Sequence, residues 1–564
     1  MKPAAQSEDK PSRSVVQTVR IATIDVDPRC LDLLQTGIIQ LRTSSVATSP
    51  PFGDLRAILS LHYLSMMVFT DRRYDPTLLI EANFDGPAGP FWAELDAAIG
   101  PQLREILRCC KRPPDPVGAI FDRVTGPGSA MPLAPLLEAI AKPPAAWHLG
   151  NRGLSRARIE SEAKVFLDAR AALASPKFAE KTASEIHKAL REQLPRKNPC
   201  LKVLPPLRIS LFDDAGDWIT AWFFGWLFIL LPLELPGALL TFIIPPLLPK
   251  CVLKSLPDWI APSAIIPSGI IFLVICAFAW ILRGQWRKIK LVRRSLEPRI
   301  KQPPGPTPWT IVGLVAFQFL TSAVVLGFLC WMLRGAKPTL GWTALSTVVV
   351  GIAGGGAIVL ASLAILRDIE ERDAWQNAQP LPTRTEREIA ALEDRSPQNH
   401  MGSLVHVKAG GLRSILIGLG LTGLGLLMRI EARARQGYLI DVRTIHFAHL
   451  TLLNNRSRLL FLANFDGSWE NYLIDFIEKV QTPVTLVWNP GIGFPPTLFY
   501  VFEGVTHGRL FRTWKRGSMA PTLFWFSAYP ELSVEQIWRQ SRIAAGLRRP
   551  RLKEKDAQQW ARDL

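Results

Sequence analysis

Ala82-Asn83-Phe84-Asp85-Gly86 reappears far downstream as Ala463-Asn464-Phe465-Asp466-Gly467. Each block closes an apolar, strand-like run: Leu78-Leu79-Ile80 before the first, Leu459-Leu460-Phe461-Leu462 before the second. A His-aromatic pair precedes each run, His62-Tyr63 and His446-Phe447. Leu-Ser-x-x-x-Ile follows each block, at Leu154–Ile159 and Leu532–Ile537. Four matched features in the same order mark an internal duplication.

The second copy spells out its elements. Thr444–Leu453 and Arg458–Ala463 read as strands joined by the polar turn Asn454-Asn455-Arg456-Ser457. Trp469–Val480 carries apolar residues at helical spacing behind Ser468 and Asp466, which are capping residue types. A third strand is expected at Thr522–Ala528, and Ser533 opens a last helix through about Leu547. The first copy has the same order with a longer turn. The expected fold is α+β: two ferredoxin-like sandwich modules flanking a helical transmembrane domain of about four spans.

The spans are read from four long apolar blocks, Trp218–Pro249, Ala261–Leu282, Trp309–Leu333 and Gly341–Leu366. Glu234 is the one charge inside them, within Leu-Pro-Leu-Glu-Leu-Pro, so the first block is either a kinked crossing or a hairpin. The loop from Arg283 to Lys301 is strongly basic and is expected on the cytoplasmic side. A bacterial inner-membrane protein with cytoplasmic termini follows. Its expected divisions are a disordered tail at 1–20, a first module at 21–210, the transmembrane domain at 211–370 and a linker with an interfacial helix at 371–437. A second module at 438–548 and a basic tail at 549–564 complete the chain. The 564 residues suit several units, and the net charge of +18 is read as topogenic, without a nucleic-acid partner. Seven cysteines show no metal spacing. No phosphate loop, Gly-x-Ser-x-Gly elbow or zinc protease pattern is present.

Gln398-Asn399-His400-Met401, Thr444–Ala448 and Leu462–Tyr472 together resemble an uncharacterised family of bacterial membrane-associated proteins. The resemblance spans about Glu393 to Gly546 and implies no stated reaction. Dye-decolorizing peroxidases share the ferredoxin-like architecture at fold level. Their Gly-x-x-Asp-Gly motif would need glycine where this chain has Ala463, and no cofactor is expected.

Chemistry-bearing candidates cluster in the second copy. His446 as general base with Asp466 orienting it is the enzymatic reading, on a lipid or hydrophobic substrate. His400, Asn464, Gly467, His507 and Arg509 are candidate ligand-binding residues, the last two in a basic loop suited to an anionic headgroup. The first copy's counterparts are His62, Asn83, Asp85 and Gly86. His446 and His449 are expected on opposite strand faces. Structural roles compete at each position: an imidazole bonded to a backbone group, and turn chemistry at Asp466-Gly467. The expected function is ligand or partner binding by paired modules beside membrane lipid. A transporter built on Glu234 is the remaining alternative.

Overall fold

The computed structural model describes residues 16–46, 55–203, 219, 364–365, 367–372, 381–430, 442–500 and 502–564. In the first half, strand β1 (Gln17–Asp25), helix α1 (Leu31–Val46), β2 (Leu61–Phe69), β3 (Thr77–Asp85), α2 (Ala88–Arg108) and β4 (Ala141–Lys142) follow in order. β5 (Ala146–Leu149), α3 (Arg156–Leu173) and α4 (Ala183–Gln193) come next. In the second half, β6 (Gln398–His406), α5 (Gly411–Ile430), β7 (Ile445–Leu453) and β8 (Arg458–Asp466) repeat the opening pattern. Then come α6 (Trp469–Lys479), α7 (Gln481–Trp488), α8 (Gly508–Gly517), β9 (Met519–Ala520), β10 (Thr522–Ser527), α9 (Val534–Arg548) and α10 (Glu554–Ala561).

Two five-stranded antiparallel sheets result, ordered β10-β2-β3-β1-β4 and β9-β6-β8-β7-β5. Within each half the connectivity is a split β-α-β followed by a second helical crossover. Each sheet also takes its edge strand from the other half. β5 of the first half pairs with β7 of the second, and β10 of the second half pairs with β2 of the first. The strand expected at Thr522–Ala528 therefore belongs to the opposite sheet.

The strand period places the duplicated block. Ala82 and Phe84 point outward into a core beneath α1 and α2, and Ala463 and Phe465 point outward into the matching core. Phe84 stacks on Phe91 at 3.9 Å and Phe465 on Tyr472 at 4.2 Å. Asn83 and Asn464 point the other way, between the sheets. That inner layer is filled by Ile21, Tyr63, Met67, Phe447, Leu460 and Leu462, contributed by both halves. Gly86 and Gly467 end the blocks at φ of +86° and +78°, a backbone region that favours glycine. A fourth core joins α3, α4, α9 and α10.

The expected transmembrane domain, and with it a multi-pass inner-membrane location, is corrected. Among the described residues no helix is long and apolar enough to cross a membrane. The four apolar blocks and Glu234 lie outside the described residues, apart from Ile219 in the first block and two residues near the end of the last. The longest apolar helix described, α5, is committed to the second sheet: Ile417 and Leu421 enter its core. A Cβ added at Gly425 would lie 3.2 Å from the Ala145 carbonyl. A crossing instead needs about 20 residues presenting apolar surface all round. The two modules pack against each other. They are interlocked through exchanged strands.

The exchange has a sensitive point at Gly150, whose amide donates to the His446 carbonyl at 2.8 Å. A Cβ there would lie 2.0 Å from the Ile445 carbonyl oxygen. Gly150→Ala is expected to destabilise the protein by about 1–3 kcal/mol through overpacking. An unchanged urea midpoint would count against the β5–β7 pairing.

Candidate functional site

The His-aromatic pair of each copy is a β-bulge. Partner register moves from Phe84 to Asn83 while β2 advances from Leu61 to Tyr63, so His62 is the extra residue. His446 is the extra residue opposite Phe465 and Asn464. A bulge kinks the strand and resets its alternation. His446 and His449 therefore both meet inter-sheet groups, rather than facing opposite ways.

Each bulge histidine is clamped in the same manner. Nε2–H of His62 donates to Asp85 at 3.0 Å, and that of His446 to Asp466 at 2.8 Å. The second carboxylate oxygens accept helix-opening amides, Arg156 N on Asp85 and Val534 N on Asp466, both at 2.8 Å. With Nε2 protonated, each Nδ1 is an acceptor. It takes Tyr529 O–H at 2.7 Å on His62 and Asn151 N–H at 3.1 Å on His446, each from the other half. Gln17 donates to the Asn151 and Leu154 carbonyls, as Gln398 does to those of Tyr529 and Leu532. The repeated signature thus builds two related clips that fasten hairpin, helix start and exchanged strand. His446 and Asp466 meet as the enzymatic reading requires, yet His446 is fully buried and Asp466 is already committed to a helix amide.

The symmetry breaks at one residue. Glu81, two positions before Asn83, is wholly buried between the sheets. Its Oε1 accepts from Asn83 at 2.8 Å and from Asn464 at 3.3 Å. His449 Nε2 lies 3.0 Å from Oε1, a charge contact more than an aligned hydrogen bond. Oε2 accepts from Ser65 and from His400 Nε2, both at 2.9 Å. The duplicated asparagines thus converge on one carboxylate, and both histidines come from the opposite half. Trp525 Nε1–H donates to the Asn464 carbonyl at 2.9 Å, which fixes the amide with its NH₂ toward Glu81. Burial pushes the Glu81 pKa up, but hydrogen bonds and charge from His400 and His449 outweigh it and hold it well below the usual carboxylate range. The site therefore contains a buried carboxylate anion.

His400 carries this cluster outward. Its Nε2–H is spent on Glu81, so in the neutral ring Nδ1 is the acceptor, and the Thr522 hydroxyl lies 2.9 Å from it. His400 and Thr522 line a pocket of about 770 Å³, its open mouth included. Arg42, Arg395, Asn399 and Trp525 also line it. Burial lowers the Arg42 pKa, and the nearby Arg395 charge lowers it further. Glu393, in the same wall, is held by Arg516 at 2.9 Å. Among the described residues no group of three or more His, Cys, Asp or Glu is placed to hold a metal ion.

The remaining candidates lie elsewhere. The expected basic loop is helix α8 with a short 3-10 turn before it. His507 is buried beside Glu503 at 3.9 Å, and Arg509 is exposed. Lys515 of α8 is buried over the Trp488 ring at 3.5 Å, and burial drives its pKa well below the ordinary lysine value. Glu81 and Thr522 were not singled out by sequence. The available signal was a charge inside the apolar run Leu78–Phe84 where the second copy has Leu462.

No protein-family model matches the chain, and neither do any curated protein or solved structure.

Because the folded-state pKa of Glu81 is depressed, its ionised form adds stability above the unfolded value of about 4.3. That contribution is lost as pH falls through the folded value. Glu81→Gln is expected to cost on the order of 3 kcal/mol at pH 7. The gap between wild type and variant should shrink as pH drops below about 4. Urea unfolding at both pH values checks this, and equal stability at pH 7 would contradict it.

Proposed function

We propose that the chain binds a small organic anion, bearing a carboxylate or phosphate, in the pocket floored by His400 and Thr522. The observation that carries this reading is the approach of two guanidiniums, Arg42 and Arg395, at one concave wall. Like charges this close disfavour one another, and an anion placed between them relieves that cost. Guanidinium also offers a planar fork matched to carboxylate and phosphate oxygens. Glu393 does not cancel the field, because Arg516 already neutralises it. The floor is polar, with the Thr522 hydroxyl against His400 at 2.9 Å and the Asn399 amide spent on Asp394 and the Gly467 carbonyl, both at 2.9 Å.

The duplication serves this pocket by rigidity. α1 brings Arg42 from the first half, while β6 and β10 bring His400 and Thr522 from the second. The strand exchange holds these elements together, so the groups are placed before ligand arrives.

Thermal shift and calorimetry with inorganic phosphate and with succinate test the reading. Binding is expected to weaken with added salt. Arg42→Ala and Arg395→Ala are each expected to weaken it at least tenfold, about 1.4 kcal/mol. Wild-type affinity in both variants, or no binding of either probe, would overturn it.

A further inference from the structure

We infer that Thr522 is a nucleophile for acyl transfer, activated by His400 and positioned through Glu81, with esters of small anionic acids as the substrate class. The inference rests on the anion-pocket reading and adds a reaction to it.

Three links support it. Glu81 accepts the Nε2 proton of His400 at 2.9 Å, which sets the tautomer of the neutral ring. The free Nδ1 lone pair then faces the Thr522 oxygen at 2.9 Å, so the hydroxyl donates and the ring accepts. This is the polarity a nucleophile–base pair needs, with a buried carboxylate orienting the base. The two ring nitrogens have exchanged roles relative to the usual serine hydrolase arrangement, which leaves the proton logic unchanged. Finally, the hydroxyl lines the pocket while the carboxylate is shut away behind it. The related clips differ on this point: His62 and His446 are wholly buried, and their Nδ1 partners are the buried Tyr529 and Asn151.

The reaction balances with water as the only co-substrate. Thr522 Oγ1 attacks the ester carbonyl carbon and its proton passes to His400 Nδ1. The carbonyl π electrons move to oxygen, where the positive field of Arg42 and Arg395 stabilises them. The carbon–oxygen bond to the alcohol then breaks, and His400 returns its proton to the departing oxygen. Water, losing a proton to Nδ1, attacks the acyl carbon. The acid leaves and the threonine hydroxyl is restored. Thr522 and His400 are the catalytic residues, and Glu81 is a positioning residue.

The test is labelling of the full chain with a fluorophosphonate probe, read by intact mass and peptide mapping. One adduct on Thr522 is expected, absent in Thr522→Ala and retained in Thr522→Ser. His400→Ala is expected to slow labelling at least about 100-fold. Glu81→Gln is expected to move the midpoint of the labelling pH profile, which a purely structural role would not do. The phosphate-induced thermal shift of the wild-type chain is read beside the labelling. No adduct at Thr522 with that shift intact overturns the nucleophile and leaves the pocket standing. Loss of both in wild type overturns both readings.

Discussion

A single buried carboxylate organises the space between the two sheets. Placing Glu81 out of water is costly, and only a full shell of donors offsets it. Ser65 and Asn83 supply donors from its own half, His400 and Asn464 supply them from the other, and His449 adds a close contact at 3.0 Å. Neither half can satisfy the charge alone. The carboxylate therefore makes the packing of the two sheets specific, beyond the apolar contacts of Tyr63, Met67, Phe447 and Leu462 around it.

Duplication and divergence have separate tasks in this molecule. What both copies retain is mechanical: the bulge histidine, the aspartate on a helix start, the glutamine on two carbonyls and the glycine at positive φ. What differs is chemical. Glu81 stands where the second copy has Leu462, and His449 where the first has Ser65. Symmetric clips fix the frame, and the asymmetric residues inside it form a graded path from buried anion to imidazole to hydroxyl to pocket.

The duplication was legible because its residues serve local geometry. Phe84 and Phe465 must fill outer cores, and Gly86 and Gly467 must turn the chain. The paired strands Arg458–Ala463 and Thr444–Leu453 carried their turn and period openly. The strand exchange was not legible, because β5 and β10 are short and their partners are set by tertiary contact. Gln17 escaped notice, since one side chain matching Gln398 carries no local signal. The candidate cluster was half visible. His400 stood out by type, but Glu81 and Thr522 become chemical only when three distant strands meet. The apolar blocks suggested a membrane hub by length, and the helices described do not supply one.

A double-mutant cycle between Glu81 and His449 tests the central claim most directly, because the two residues come from different halves and touch only if the sheets interlock as described. Stabilities of wild type, Glu81→Gln, His449→Leu and the double variant are measured by urea unfolding. A coupling energy of at least about 1 kcal/mol is the expected result. Additivity to within about 0.5 kcal/mol would contradict the account.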